Sequence, residues 1–246
     1  MKKYFLLLFC FVAVKVQAQN PTFLGTVQIE YEKTLSVHQL MKQMEPEWFE
    51  QSKDHMPVEL KSYFTFTGDS THSIFKQSKE AVVAPNMWFR PIADENVVYN
   101  DYTTGRTITK KPVFEETFLV DDSMLNIKWK ITNDTRKIAG YECRKAVGIM
   151  FDTIAVFAFY TDEIMISGGP EGIHGLPGMI LGMGIPRIHT TWFATRVEVS
   201  GFKMNKVVPE TKGKKIKRNE MINVIKKALE EEWGGYGKNL VLNFLI

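Results

Sequence analysis

The sequence predicts an α+β protein: a strongly curved, mainly antiparallel, half-barrel-like β-sheet with one or two packing helices. Period-two alternation recurs from Tyr63 to Thr161 with no helical pattern between the stretches, so successive strands pair antiparallel through short turns. Helical spacing is confined to two segments, Ser36 to Phe49 and about Ile216 to Trp233. Seven of the seventeen glycines fall between Ser167 and Gly184, where the backbone must turn, bulge or pack closely against other groups.

Gly25 to Lys33 alternates Val27, Ile29 and Tyr31 against Gln28, Glu30 and Glu32, one half-buried strand. In the helix that follows, Val37, Leu40, Met41, Met44 and Trp48 share a face, Ser36 is the cap and Pro46 splits the segment. Tyr63–Thr67 and Ser70–Lys76 form a hairpin about Gly68-Asp69, and Val97–Tyr102 with Arg106–Lys110 form another about Thr103–Gly105. Further strands are expected at Val113–Val120, Ile127–Ile131, Ile138–Met150 and Thr153–Thr161. In Ile138–Met150, alternation puts Tyr141, Cys143, Lys145 and Val147 on one face. The last helix carries Met221, Ile222, Val224, Ile225, Ala228, Leu229 and Trp233, with Ile222, Ile225 and Leu229 expected against the sheet and Gly234-Gly235 as the stop. The tail from Leu240 to Ile246 is too apolar to stay in water and should dock or add a strand.

Residues 1–18 read as a secretory signal peptide: Lys2 and Lys3, an apolar run from Tyr4 to Val14 too short to span a bilayer, and Val16-Gln17-Ala18 before a cut at Gln19. Residues 19–246 are then a single domain, exported to the periplasm or outer envelope, with outer-membrane association among the expectations. The chain has 31 Lys+Arg against 28 Asp+Glu. Lys2, Lys3 and Lys15 lie in the leader, which holds no acid, so the mature chain is balanced and gives no electrostatic case for nucleic acid. The basic run from Lys203 to Arg218 reads as a solvated linker. Of two cysteines only Cys143 follows the leader, which excludes an intramolecular disulfide in the mature chain; a buried thiol is expected.

In Leu176-Pro177-Gly178-Met179, proline presets φ and glycine takes positive φ, the composition of a type II turn. Beyond it, Met179, Leu181 and Met183 should share one strand face and Ile180, Gly182 and Gly184 the other, the glycines accepting a neighbouring backbone or ring. Leu176, Pro177, Gly178, Met179, Ile180 and Trp192 are the candidate binding residues, for an envelope protein or an apolar ligand. His174, Met179, Met183 and His189, with Cys143 on a neighbouring strand, form a soft donor set suited to copper(I) or zinc, although the spacing matches no metal motif and ordinary packing accounts for the same residues. No nucleophile elbow, zincin motif or phosphate loop is present, so no catalytic residue and no cofactor is expected; Asp162, Glu163 and Glu171 read as solvated or turn-forming acids.

Gly175-Leu176-Pro177-Gly178-Met179-Ile180 resembles the signature of the GLPGLI family of secreted Bacteroidetes proteins, with Met179 in place of leucine. Gly140-Tyr141-x-Cys143-x-Lys145-Ala146, Tyr160-Thr161-Asp162-Glu163-Ile164 and Ser167-x-Gly169-Pro170 resemble that family's pattern in order, with Phe159 where tryptophan is expected. The resemblance covers about residues 130–185 and implies export; it implies no mechanism. A non-catalytic binding module is the reading it leaves, with a soft-metal protein as the alternative.

Overall fold

The structure is a computed structural model that describes residues 25–79, 92–199, 203–234 and 240–246; the expected leader lies outside them. Twelve strands form one sheet: β1 (Val27–Ser36), β2 (Glu59–Gly68), β3 (His72–Lys79), β4 (Val97–Asp101), β5 (Arg106–Val113), β6 (Glu116–Ser123), β7 (Lys128–Ile138), β8 (Tyr141–Met150), β9 (Ile154–Thr161), β10 (Met179–Ile185), β11 (Thr190–Val199) and β12 (Lys214–Ile216). Their spatial order is β12-β6-β5-β4-β3-β2-β1-β11-β10-β9-β8-β7, and among the described residues every pairing is antiparallel except that of β12 with β6.

The strong curvature follows from the connectivity. Strand β6 lies next to one edge and β7 is the other edge, yet only residues 124–127 join them. Five peptide links reach at most ~18 Å. The sheet must therefore curl until its ends approach each other, an open near-barrel. Bulges support the bend: the register shifts between Glu30 and Tyr31, Tyr63 and Phe64, Ile131 and Thr135, and Ile180 and Gly182.

Helices α1 (Val37–Met44) and α2 (Pro46–Ser52) meet at Glu45, where Pro46 starts the second helix as expected. Ser36 occupies the cap position of α1, but its side chain makes no capping bond. Helix α3 (Arg218–Trp233) begins against β6, where the Asp122 carboxylate accepts the Arg218 backbone N–H at 3.0 Å. Met221, Ile225 and Leu229 are its buried residues; Ile222, expected among them, is half-buried, and the side chain of Trp233 lies outside what is described. The tail docks as a short helix, α4 (Val241–Leu245), rather than a strand, burying Leu240 and Ile246.

Two apolar clusters fill the interior. One joins Val27, Ile29, Tyr31, Phe64 and Phe66 to the buried faces of β8–β11; the other joins Leu35, Leu40, Phe49 and Leu60 to Phe118, Ile225, Leu229 and Leu240.

Several expected boundaries move. Ile138–Met150 is not one strand, because Ala139 (φ 48) and Gly140 (φ 93) make a two-residue hairpin between β7 and β8. Val113 ends β5, and Phe114 (φ 53) turns the chain into β6. The face expected to hold Cys143 and Val147 together does not form: Cys143, Ala146, Gly148 and Met150 are buried while Val147 is exposed. The basic run is not wholly a linker, since Lys214–Ile216 pairs with β6 and Lys217 Nζ donates to the Asp121 carbonyl at 2.7 Å.

Candidate functional site

Residues 162–178, between β9 and β10, are fastened to the sheet by the buried side chains of Ile164, Ile166, Ile173 and Leu176 and by backbone hydrogen bonds. Gly168 N–H donates to Ile166 O (3.0 Å), Met179 N–H to Ile164 O (3.1 Å) and Ile180 N–H to Gly168 O (2.9 Å). Trp129 Nε1 donates to His174 O at 2.9 Å, and Gly175 N–H to Ser167 Oγ at 3.0 Å. At the bulge in β10, the buried Tyr31 hydroxyl donates to Ile180 O at 2.6 Å, so the carbonyl that the register shift would leave open is satisfied.

The expected type II turn does not form. Its closing bond would run from Met179 N–H to Leu176 O; instead Gly178 N–H donates to Leu176 O at 2.8 Å, a γ-turn about Pro177, and Met179 turns to Ile164. Gly178 does take positive φ, at 149°, and a Cβ there would overlap the Thr161 carbonyl. In β10 the expected alternation fails at the bulge, and all seven residues are buried. The glycines nevertheless accept rings as expected: a Cβ on Gly182 would meet Phe193 at 2.7 Å, and one on Gly184 would overlap Phe157.

Of the six candidate binding residues only Pro177 is exposed. Leu176, Gly178, Met179, Ile180 and Trp192 are buried. At the surface, Asp162, Glu163, Met165, Ser167, Leu176, Pro177 and Gly178 border an open groove of about 470 Å³. Met165, 52% exposed between buried Ile164 and Ile166, is its apolar rim. Asp162 is held by Arg144, whose Nη2 donates at 3.3 Å.

The soft donor set is dispersed among different neighbours. Met179 and Met183 are wholly buried in the core. His189 Nε2 lies 2.7 Å from Gln43 Oε1 on α1, whereas His174 sits beside Leu125 and Trp129 with its Nε2 buried and unpartnered. Burial lowers the pKa of both imidazoles. Cys143 is separated from β10 by β9, and burial pushes its thiol up to about 12, so thiolate chemistry is suppressed. Among the described residues no group of three or more His, Cys, Asp or Glu is placed to hold a metal ion.

The residues that sequence reasoning missed form a polar belt between the two apolar clusters. Lys33 Nζ donates to Asp94 Oδ1 at 2.6 Å and to Ile92 O at 3.2 Å, and lies 5.6 Å from the ring centroids of Phe64 and Trp192. Ser62 Oγ bonds the other Asp94 oxygen. Glu171, half-buried with φ 52, is in a turn as expected, but its carboxylate faces inward and accepts Trp192 Nε1 at 3.2 Å. Burial raises its pKa, with Lys33 and Lys111 opposing the rise. Lys111 is buried and its pKa falls to about 7, chiefly by desolvation. Two small cavities adjoin the belt, of about 70 and 20 Å³, and Ile246 lines both. No single motif encodes this belt; the one local signal was a charged residue, Lys33, on an inward position, between Tyr31 and Leu35, of an otherwise clean amphipathic strand.

A curled antiparallel sheet that encloses polar groups, with a glycine-rich segment bonded to its inner face, defines a β-rich enclosing scaffold. Over residues 93–227 the chain matches the family described as N-glycanase peptide, N-terminal domain, and it belongs to that family. Two solved structures of PNGF-II are similar. The P21 form has 16% identity and TM-score 0.52 over 83% of this chain and 34% of that one; the C2 form has 15% identity and TM-score 0.53 over 82% and 33%. The chain thus spans about a third of those proteins, and at this identity the likeness is one of fold. No curated protein matches. Among the described residues no helix is long and apolar enough to cross a membrane.

Proposed function

We propose that the chain is an exported, non-catalytic binding module that docks a protein partner at the groove bordered by Asp162, Met165 and Pro177, and that its GLPGMI segment marks it as a GLPGLI-type protein. The observation that carries the reading is the combination of an exposed methionine and proline with a backbone-fastened base. Such a surface binds without paying to order a loop. Family membership supports it, because the family is defined by the N-terminal domain of a longer protein. Membership of an N-glycanase N-terminal domain family makes an N-glycosylated protein the first partner to try.

Full-length mature chain is expected to retain an N-glycosylated protein on a column, and Met165→Glu with Pro177→Asp to abolish retention while leaving the melting transition in place. Equal retention of wild type and the double variant overturns the groove; loss of retention on deglycosylating the partner assigns the contact to the glycan, and its survival assigns it to the polypeptide. Mass spectrometry of exported protein is expected to begin at Gln19, and a retained Met1 overturns the export reading.

A further inference from the structure

We propose that the cavity bounded by Asn96, Asn100, Thr107, Lys111 and Glu171 is a binding site for a small uncharged polyol. It lies in the polar belt, apart from the surface groove, so the two readings stand or fall separately.

The orientation of Asn96 is the starting point. Its Nδ2 donates to Ile246 O at 3.1 Å, which fixes the amide, since a flip would set oxygen against oxygen. Its Oδ1 is then left without any donor although the residue is only 2% exposed. A buried acceptor in that condition is costly and calls for a hydroxyl or N–H from outside the chain. The adjoining space of about 70 Å³ is enough for that donor to belong to a molecule the size of several waters.

The walls specify the rest. Asn96, Asn100, Thr107, Lys111 and Glu171 offer donors and acceptors, and Val98, Val120 and Ile173 offer apolar surface interspersed among them. A molecule that carries hydroxyl and C–H groups close together, as a polyol does, matches such a mixed lining. Charge argues for neutrality. Lys33 is paired with Asp94, Lys111 Nζ donates to Phe244 O, Arg218 Nη2 donates to Ser123 O and Glu171 accepts Trp192 Nε1, so a charged guest would have to displace one of these contacts. Closure comes from the tail: Lys111 Nζ donates to Phe244 O at 2.7 Å and Asn96 to Ile246 O, so groups of the site also hold residues 240–246 over it.

Titration calorimetry of the full mature chain with glycerol, myo-inositol and glucose, and with gluconate and glucosamine as charged controls, tests the proposal. Saturable, stoichiometric binding of at least one neutral polyol is expected, in the millimolar range suited to so few heavy atoms. Asn96→Leu is expected to weaken it about tenfold or more. A crystal soaked in the same polyol is expected to show a hydroxyl against Asn96 Oδ1, and this result decides the matter if Asn96→Leu does not fold. No saturable heat from any neutral polyol, tighter binding of a charged control, unchanged affinity in folded Asn96→Leu, or water alone in the soaked cavity overturns the proposal.

Discussion

The glycine-rich segment 162–178, which leads into β10, and the C-terminal helices α3 and α4 are held by different balances of forces. The first adds to the buried side chains of Ile164, Ile166, Ile173 and Leu176 main-chain hydrogen bonds from Met179 and Ile180 of β10, with glycines where a Cβ would strike a carbonyl or a ring. The second is held by side-chain burial, through Met221, Ile225, Leu229 and Leu240. Backbone attachment tolerates almost no added atom at its closest points, whereas side-chain attachment weakens in proportion to what is removed.

The largest expected effect separates the two regimes. Gly178→Val places branched carbon on the Thr161 carbonyl at a φ of 149°, so both space and conformation oppose it. The loss should be about 4 kcal/mol or more, beyond strain alone. Urea unfolding with an unchanged midpoint would remove the close-approach argument.

In the helical region, Ile225→Ala and Leu229→Ala should each cost about 2–4 kcal/mol, and Ile222→Ala less because that residue is half-buried. Three equal losses by calorimetry would show that the helix packs on a different face.

The same contrast explains what could be read from the sequence. Side-chain periodicity is local, so β1 emerged with Val27, Ile29 and Tyr31 all buried, and α3 emerged within two residues of its observed start. Turns that depend on positive φ in ordinary residues left little trace: beside Gly140 the turn rests on Ala139 at φ 48, and Phe114 is no turn residue. The polar belt was illegible for another reason. Lys33, Asp94, Lys111, Glu171 and Trp192 come from separate stretches, and only the curl of the sheet brings them together. The glycine cluster correctly marked close packing, but its side chains turned inward, leaving Pro177 and the unforeseen Met165 at the surface.

Between the two regions lies Lys111, and its effect is a slope with pH. Its folded pKa of about 7 is below the ordinary 10.5, so in that interval the unfolded chain binds the additional proton. Stability should therefore rise as pH increases from about 7 toward 10.5 and lose that contribution on the way down. Lys33, Asp94, Glu171 and Arg218 lie around the same belt; Glu171, with its pKa raised, acts in the opposite sense from 4.5 upward. Lys111→Met should flatten the alkaline rise in urea midpoints, and a rise of the same size in that variant would assign the slope to another group.

The smallest expected effect falls on Met165. Its neighbours Ile164 and Ile166 are buried, so the alternation that anchors them sends Met165 outward, 52% exposed, onto the rim of the groove. About half of its surface is already in water, so little burial is lost when it is removed. Met165→Ser should stay within about 0.5 kcal/mol of wild type, while Ile166→Ala, one position on, should cost about 2 kcal/mol or more. The pair isolates the division of labour within the segment: its inward isoleucines carry the fold, and Met165 contributes surface to the groove. A Met165→Ser protein that melts as early as Ile166→Ala would place Met165 in the core and withdraw the groove from the surface.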